Sequence, residues 1–183
     1  MEFIAQTFGI FGLIFNILVF QQKKQKSVLI CQFFAASFFA LNYLLLGATV
    51  GFLLNIVGAL RSVVFYFEKR TRAYGIGWLI FFIVAFAASY PITFLAFDTP
   101  VTAKNLIIEI LPVIAMIVAT VSLRLNSAKA VRSFGLVSSP MWLTYNCFSG
   151  SVGAIASEIF NLISIAVGII RLDLKRKKND TVA

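Results

Sequence analysis

Seven long apolar runs, separated by charge clusters or small turn residues, dominate this sequence. They cover residues 3–20, 28–46, 48–67, 75–95, 105–123, 131–148 and 150–170. A helix of about 20 apolar residues crosses the roughly 30 Å hydrocarbon core of a bilayer. The chain is 60% hydrophobic and 13% charged, and a soluble fold of 183 residues could not bury so much apolar surface. The sequence therefore predicts an all-α membrane protein with seven transmembrane helices, numbered here as spans one to seven.

Two of the divisions between spans depend on small residues alone. Spans two and three are separated only around Gly47 and Gly51, and spans six and seven only by Ser149, Gly150 and Ser151. Without these divisions one helix would be far longer than a bilayer requires. Each pair of spans therefore predicts a tight helical hairpin.

Positive charge is concentrated in alternate connections between the spans. Short cytoplasmic loops carry an excess of lysine and arginine, so we expect odd-numbered spans to run inward, the N-terminus to lie outside and the C-terminus to be cytoplasmic. The outer connections carry only Lys104. Span one is followed by Lys23, Lys24 and Lys26, and span three by Lys69, Arg70 and Arg72. Span five is followed by Arg124, Lys129 and Arg132, and span seven by Arg171, Lys175, Arg176, Lys177 and Lys178.

The sequence repeats itself at an offset of 102 residues, which places residues 41–51 on residues 143–153. Residues 1–73 then form a first three-helix repeat, 74–104 a linker helix with an outer loop, and 105–171 a second three-helix repeat. Residues 172–183 form a basic cytoplasmic tail. Because the linker crosses once, the repeats are parallel, which resembles the SWEET and PQ-loop transporter architecture. Paired repeats commonly carry a solute path at their interface.

Several motifs resemble the YgjV family of bacterial inner-membrane proteins over nearly the whole chain. They are Ala59-Leu60-Arg61, Leu111-Pro112-Val113, and Trp142 with Asn146 leading into Gly150-Ser151-Val152-Gly153 and Glu158. The resemblance implies a multi-pass protein of the bacterial inner membrane and implies no particular activity.

Two ionisable residues, Arg61 and Glu158, fall well inside predicted spans, where a charge costs about 2.5 to 3.5 kcal/mol on insertion scales. They could bridge the repeats beside a solute path, form a fixed salt bridge, or remain apart with Arg61 extending toward the cytoplasmic interface. By contrast, Glu109 lies four residues into span five, where we expect the outer headgroups to solvate it.

Further polar residues are candidates for contacting a solute. Trp142 and Asn146 are four apart, so they share one face of span six and could offer a ring and an amide. Asn55 adds a second amide from span three. Packing between helices is the alternative for each of these. Pro112 should kink span five and is a candidate hinge.

The residue content argues against several activities. Histidine is absent, the two cysteines Cys31 and Cys147 fit no metal-ligand spacing, and no nucleotide-binding loop occurs, so we expect no metal, no cofactor and no catalysis. The basic clusters read as topology signals and not as a nucleic-acid surface. The hypothesis is a small-solute transporter with alternating access. A non-transporting scaffold, sensor or assembly factor is the alternative, and self-association stays open alongside the lipid bilayer and a small polar solute as partners.

We predict that alkaline phosphatase fused after Pro100 is active in cells and that the same enzyme fused after Arg72 is inactive, because it folds only outside the cytoplasm. Green fluorescent protein at the C-terminus should fluoresce, since it requires the cytoplasm. Active phosphatase after Arg72 would overturn the orientation.

Overall fold

The computed structural model describes residues 1–22, 24–73, 75–97, 99–124 and 128–170. Eight helices account for nearly all of these residues: α1 (Glu2–Gln21), α2 (Gln25–Leu46), α3 (Thr49–Tyr66), α4 (Glu68–Thr71), α5 (Ile76–Ala96), α6 (Ala103–Arg124), α7 (Ala128–Ser149) and α8 (Val152–Gly168). Spans one to three correspond to α1–α3, and spans four to seven to α5–α8. The short α4 was not predicted. Lys23 and the basic residues from Arg171 onward lie outside the described residues.

The helices confirm an all-α protein with several membrane crossings. Within the described ranges, α1, α2, α3, α5 and α6 are long and apolar enough to span a bilayer, with mean hydropathy between 1.6 and 2.2. Helix α8 is apolar but has 17 residues, about 26 Å at the usual rise. That α7 and α8 also cross the membrane stays a prediction.

The outer surface of the helices is rich in large apolar side chains. On α5, for example, Ile80 and Val84 are 55% and 60% exposed. Soluble monomers rarely present continuous apolar surface of this extent. Lipid, and not water, is therefore the solvent that suits these faces.

Both predicted hairpins are present, and each turns on one glycine. Gly47 ends α2 with φ of 72°, and Gly150 follows α7 with φ of 69°, a left-handed conformation that glycine adopts at little cost. Gly51, which was also assigned to the first turn, lies inside α3 instead. The two turning glycines are 103 residues apart, so the turns depart by one residue from the sequence offset.

The long helices pack as a ring of six with one helix outside it. Neighbours in the ring are α1, α2, α3, α6, α7 and α8, and α8 closes the ring on α1. Helix α2 lies between α1 and α3, and α7 lies between α6 and α8. Tyr43 of α2 and Tyr145 of α7, which the 102-residue offset aligns, meet inside the ring with centroids 5.9 Å apart.

Helix α5 lies outside the ring against α3 and α6. Phe82 and Phe86 on α5 are buried in a cluster with Leu54 of α3 and Val113 of α6. At one end of α5 the Trp78 indole N–H donates to the Thr71 carbonyl oxygen at 2.8 Å. The apolar cluster thus joins the two groups of three helices on this side.

On the opposite side, α1 and α8 make a very close backbone contact at Gly9 and Gly153. A Cβ atom built on Gly153 would lie 2.2 Å from the Gly9 carbonyl carbon, so no side chain fits there. The Gln6 side chain binds the same region, donating to the Gly150 carbonyl oxygen at 2.8 Å and accepting from Val152 N–H at 3.1 Å. Small residues permit this approach, as at many membrane helix contacts.

We predict that Gly153→Ala destabilises the protein by about 1 to 3 kcal/mol, the usual range for overpacking, because the new methyl collides with the α1 backbone. Gly77→Ala is the matched control, since nothing lies within 4 Å of that position and alanine favours a helix. Thermal unfolding in detergent compares the two. Equal unfolding temperatures for both variants would contradict the close contact.

Candidate solute-binding site

A cavity of about 200 Å³ lies inside the helix ring, near the middle of the helices that line it. All five predicted solute-contacting residues line this cavity. Arg61 and Asn55 come from α3, Trp142 and Asn146 from α7, and Glu158 from α8. Its other polar lining residues are Asn16, Gln32, Tyr43, Ser62, Ser157 and Asn161. The structure therefore brings together residues that are up to 145 positions apart in sequence, Asn16 and Asn161.

Arg61 forms one charged wall. Its Nη1 donates to the Thr120 hydroxyl of α6 at 2.9 Å, and that hydroxyl donates in turn to the Met116 carbonyl oxygen at 2.7 Å. The guanidinium carbon also lies 5.7 Å from the centre of the Phe86 ring. The Arg61 side chain therefore extends from α3 toward α5 and α6.

Glu158 forms the other charged wall, together with polar residues of α1, α7 and α8. Its Oε2 accepts from Asn161 Nδ2 at 3.4 Å, a long hydrogen bond, and the Ser139 hydroxyl of α7 also contacts the carboxylate. Asn16 of α1 donates to the Ser157 hydroxyl at 2.6 Å and to Asn161 Oδ1 at 3.3 Å. The carboxylate therefore sits in a small polar network.

The two charges share a cavity without pairing. Among the described residues Arg61 and Glu158 make no ion pair, and each interacts with neutral groups instead. Of the three predicted arrangements, the fixed salt bridge is not the one in this structure. The bridging pair is absent too, so the two residues remain apart, as in the third arrangement, although both line the same cavity.

Aromatic and amide groups cover the end of the cavity nearest the hairpin turns. Tyr43 stacks near Trp142, with centroids 6.2 Å apart, and its hydroxyl donates to Asn146 Oδ1 at 2.5 Å. The other end of that amide, Asn146 Nδ2, is buried and has no partner in the described part of the chain. Such an unpaired donor costs free energy, and Asn146 is among the residues that line the cavity.

Asn55 is engaged more locally. Its Nδ2 donates to the Gly51 carbonyl oxygen one turn earlier on α3, at 2.8 Å. This bond occupies part of its donor capacity and leaves its carbonyl oxygen for the cavity. Asn55 therefore contributes to the lining chiefly as an acceptor.

Beyond Tyr43, a second layer of hydrogen bonds closes the ring toward the hairpins. Asn42 donates to the Ala5 carbonyl oxygen at 2.7 Å and accepts from the Ser151 hydroxyl. The Tyr145 hydroxyl accepts from Gly51 N–H at 2.8 Å. Asn42 and Ser151 are completely buried, so these hydrogen bonds lie in the protein interior.

Glu109 does not lie where its position in the sequence suggested. We expected lipid headgroups and water to solvate it, but its Oε2 is buried with no partner among the described residues. The carboxylate interacts electrostatically with Tyr145. The expectation was wrong for this oxygen, although the residue as a whole is partly exposed, because distance along a helix gives depth and does not give the direction in which a side chain points.

Pro112 lies in the interior of α6 and is fully buried. It does not line the cavity, and neighbouring Val113 packs in the cluster with α3 and α5. Its assignment as a hinge stays a prediction.

The sequence did not predict Asn16, Tyr43 and Ser157 as parts of the site. A helical-spacing signal was available for Ser157, because Ser157, Glu158 and Asn161 are one, three and four residues apart and share one face of α8. Asn16 is a lone amide in an apolar helix and gives no such signal. Tyr43 lies in the repeated segment 41–51, and a repeat alone does not assign a side chain to a site.

The helices and their cavity define a multi-pass, all-α membrane protein with a polar chamber at its centre. A family model described as "Bacterial inner membrane protein", Imp-YgjV, matches residues 3–176. The chain therefore belongs to the YgjV family of bacterial inner membrane proteins, as its motifs predicted. No curated protein matches the chain, and no solved structure matches it either.

We predict that Glu109→Gln raises the unfolding temperature, because removing a buried and unpartnered charge relieves a desolvation cost of about 1 kcal/mol or more. Glu2→Gln is the control, since Glu2 is exposed at the start of α1 and should leave stability unchanged. Thermal unfolding in detergent measures both. A loss of stability in Glu109→Gln would mean that the carboxylate has a stabilising partner.

Proposed function

We propose that this protein transports a small polar solute by alternating access between two groups of three helices, α1–α3 and α6–α8. The observation that carries the proposal is the cavity inside the ring, which holds Arg61, Glu158 and Asn146 between the two groups. Solute sites in transporters with repeats lie near the membrane midplane at the repeat interface. A solute in this position would contact both groups at once.

The proposal includes seven membrane crossings in a three-plus-one-plus-three arrangement, similar to SWEET and PQ-loop proteins, with the N-terminus outside. Two facts support it. The ring order is consistent with a two-fold relation, since α3 contacts α6 just as α8 contacts α1. Helix α7 is less apolar than the other long helices, and it contributes Trp142 and Asn146 to the cavity, as expected of a crossing that lines a polar path.

In this proposal the hairpin end of the ring is an outer gate. Tyr43, Tyr145, Asn42 and Ser151 close it with the hydrogen bonds described above. Outward opening would break these bonds and separate α2 from α7. Pro112 would absorb part of the movement in α6, since a proline leaves one carbonyl of its helix without a partner.

A second function is favoured by one observation, the contact of Gly9 with Gly153. This contact joins the two groups so closely that it suits a rigid scaffold or assembly factor. A scaffold and a transporter differ in whether water reaches the cavity from each side. In either case we propose that the protein is not an enzyme, because Glu158 is the one carboxylate among the described residues that line the cavity.

Labelling of one cysteine in the cavity tests the proposal. In a chain with Cys31→Ser and Cys147→Ser, Asn55→Cys should react with a membrane-impermeant thiol reagent in both right-side-out and inside-out vesicles. Access from both sides follows because each state exposes the cavity to one side.

Val84→Cys is the matched control, because Val84 lies on the exposed apolar face of α5 and should be protected by lipid in both vesicle types. Reaction of Asn55→Cys from one side only, or from neither, would contradict alternating access and favour the scaffold.

A further inference from the structure

The charges of the cavity suggest what kind of solute it accepts. Its charged lining residues, among those described, are Arg61 and Glu158. They come from different groups of helices and do not pair with each other. An occupant must therefore meet one positive and one negative wall.

We infer that the cavity binds a small dipolar solute with one carboxylate and one ammonium group, such as a small amino acid. The inference rests on the proposed function and names its substrate class. A buried charge is costly unless an opposite charge or several hydrogen bonds compensate it. A dipolar solute compensates both walls together, whereas a singly charged solute leaves one wall uncompensated and adds net charge to the cavity.

The Arg61 side suits a carboxylate. The guanidinium has five N–H donors in a planar fork that matches the two oxygens of a carboxylate. Within the described part of the chain one of its nitrogens is engaged, through Thr120, which also fixes its direction. Most of the fork is therefore available to a ligand.

The Glu158 side suits an ammonium group. The carboxylate is an acceptor, and its protein partners are the neutral side chains of Asn161 and Ser139. Trp142 and Tyr43 line the same cavity, and aromatic faces attract cations. Asn146, whose Nδ2 has no partner among the described residues, also lines the cavity.

Size and depth limit the solute further. The volume of about 200 Å³ is below the usual range of about 300 to 1,000 Å³ for drug-sized ligands. Counted from the first residues of α3 and α8, Arg61 and Glu158 lie about 18 Å and 9 Å along their helices. Because the charges are offset in depth, the spacing of the two groups on the solute should affect binding.

Calorimetric titration of the protein in lipid nanodiscs tests the inference with four compounds. L-Alanine and β-alanine carry both charges at different spacings. Propionate lacks the ammonium group of both, and ethylamine lacks the carboxylate. We expect at least one alanine isomer to bind about tenfold more tightly, or more, than propionate and ethylamine. Equal affinity for all four compounds, or no binding of either isomer, would overturn the inference.

Two variants test which charged residue binds which group of the solute. Glu158→Gln should weaken binding of the preferred isomer by about tenfold or more and should not weaken propionate, because it removes the wall that propionate leaves uncompensated. Arg61→Gln should weaken the isomer equally and should not weaken ethylamine, for the same reason. Glu2→Gln, outside the cavity, should change nothing. Unaltered isomer binding in both wall variants would refute the assignment, and if either fails to fold, the wild-type comparison decides alone.

This inference and the proposed function fail separately. Labelling of Asn55→Cys from both sides, without amino-acid binding, would leave transport standing and reject the substrate class. Selective amino-acid binding with labelling from one side would keep the substrate class and reject alternating access.

Discussion

A charged side chain inside a bilayer must be compensated by the protein around it, and this requirement organises the centre of the helix ring. Arg61 and Glu158 enter from opposite groups of helices, and each is surrounded by its own neutral partners. Thr120 and Phe86 hold the arginine, while Asn161 and Ser139 surround the carboxylate. Because the two charges do not pair, the cavity between them has one positive and one negative wall.

The two contacts that close the ring are physically different. Between α1 and α8, Gly9 packs against Gly153, and the Gln6 side chain hydrogen-bonds to Gly150 and Val152. The two backbones are therefore in close contact near the hairpin turns. Between α3 and α6, the hydrogen bond joins the long side chain of Arg61 to the short one of Thr120, and α5 packs against both helices from outside the ring. Under the proposed alternating access, α1 and α8 would pivot at the contact of Gly9 with Gly153, and the contact of Arg61 with Thr120 would rearrange. The interfaces α1–α8 and α3–α6 therefore differ, although the internal repeat relates them.

Much of this fold could be predicted from the sequence, because the strongest signals are local. Apolar length sets the number of long helices, and glycine in the left-handed region marks both turns. The one-residue shift between the sequence repeat and the turns was not predictable, since Gly47 and Gly150 do not align at the offset that matches Tyr43 with Tyr145. The helix α4 was missed because four polar residues give no periodic signal.

The candidate site was partly predictable for a related reason. Arg61 and Glu158 stand out because charge inside a span is rare, and Trp142 and Asn146 share one helix face. Which way a side chain points depends on neighbours that are distant in sequence, so Glu109 was misjudged and Asn16 was missed. The pairing of Arg61 was also undetermined, because helix length gives its depth and cannot show that Thr120 lies beside it.

Distances between paired spin labels on α2 and α7 in lipid nanodiscs test the central claim most directly. One pair, Lys26→Cys with Ser133→Cys, reports the end away from the hairpins and requires Cys31 and Cys147 to be replaced by serine. The other, Leu44→Cys with native Cys147, reports the hairpin end and requires only Cys31→Ser. Alternating access predicts two distance populations at each end, with conditions that lengthen one pair shortening the other. A single narrow distance at both ends under all conditions would contradict the account and describe a rigid protein.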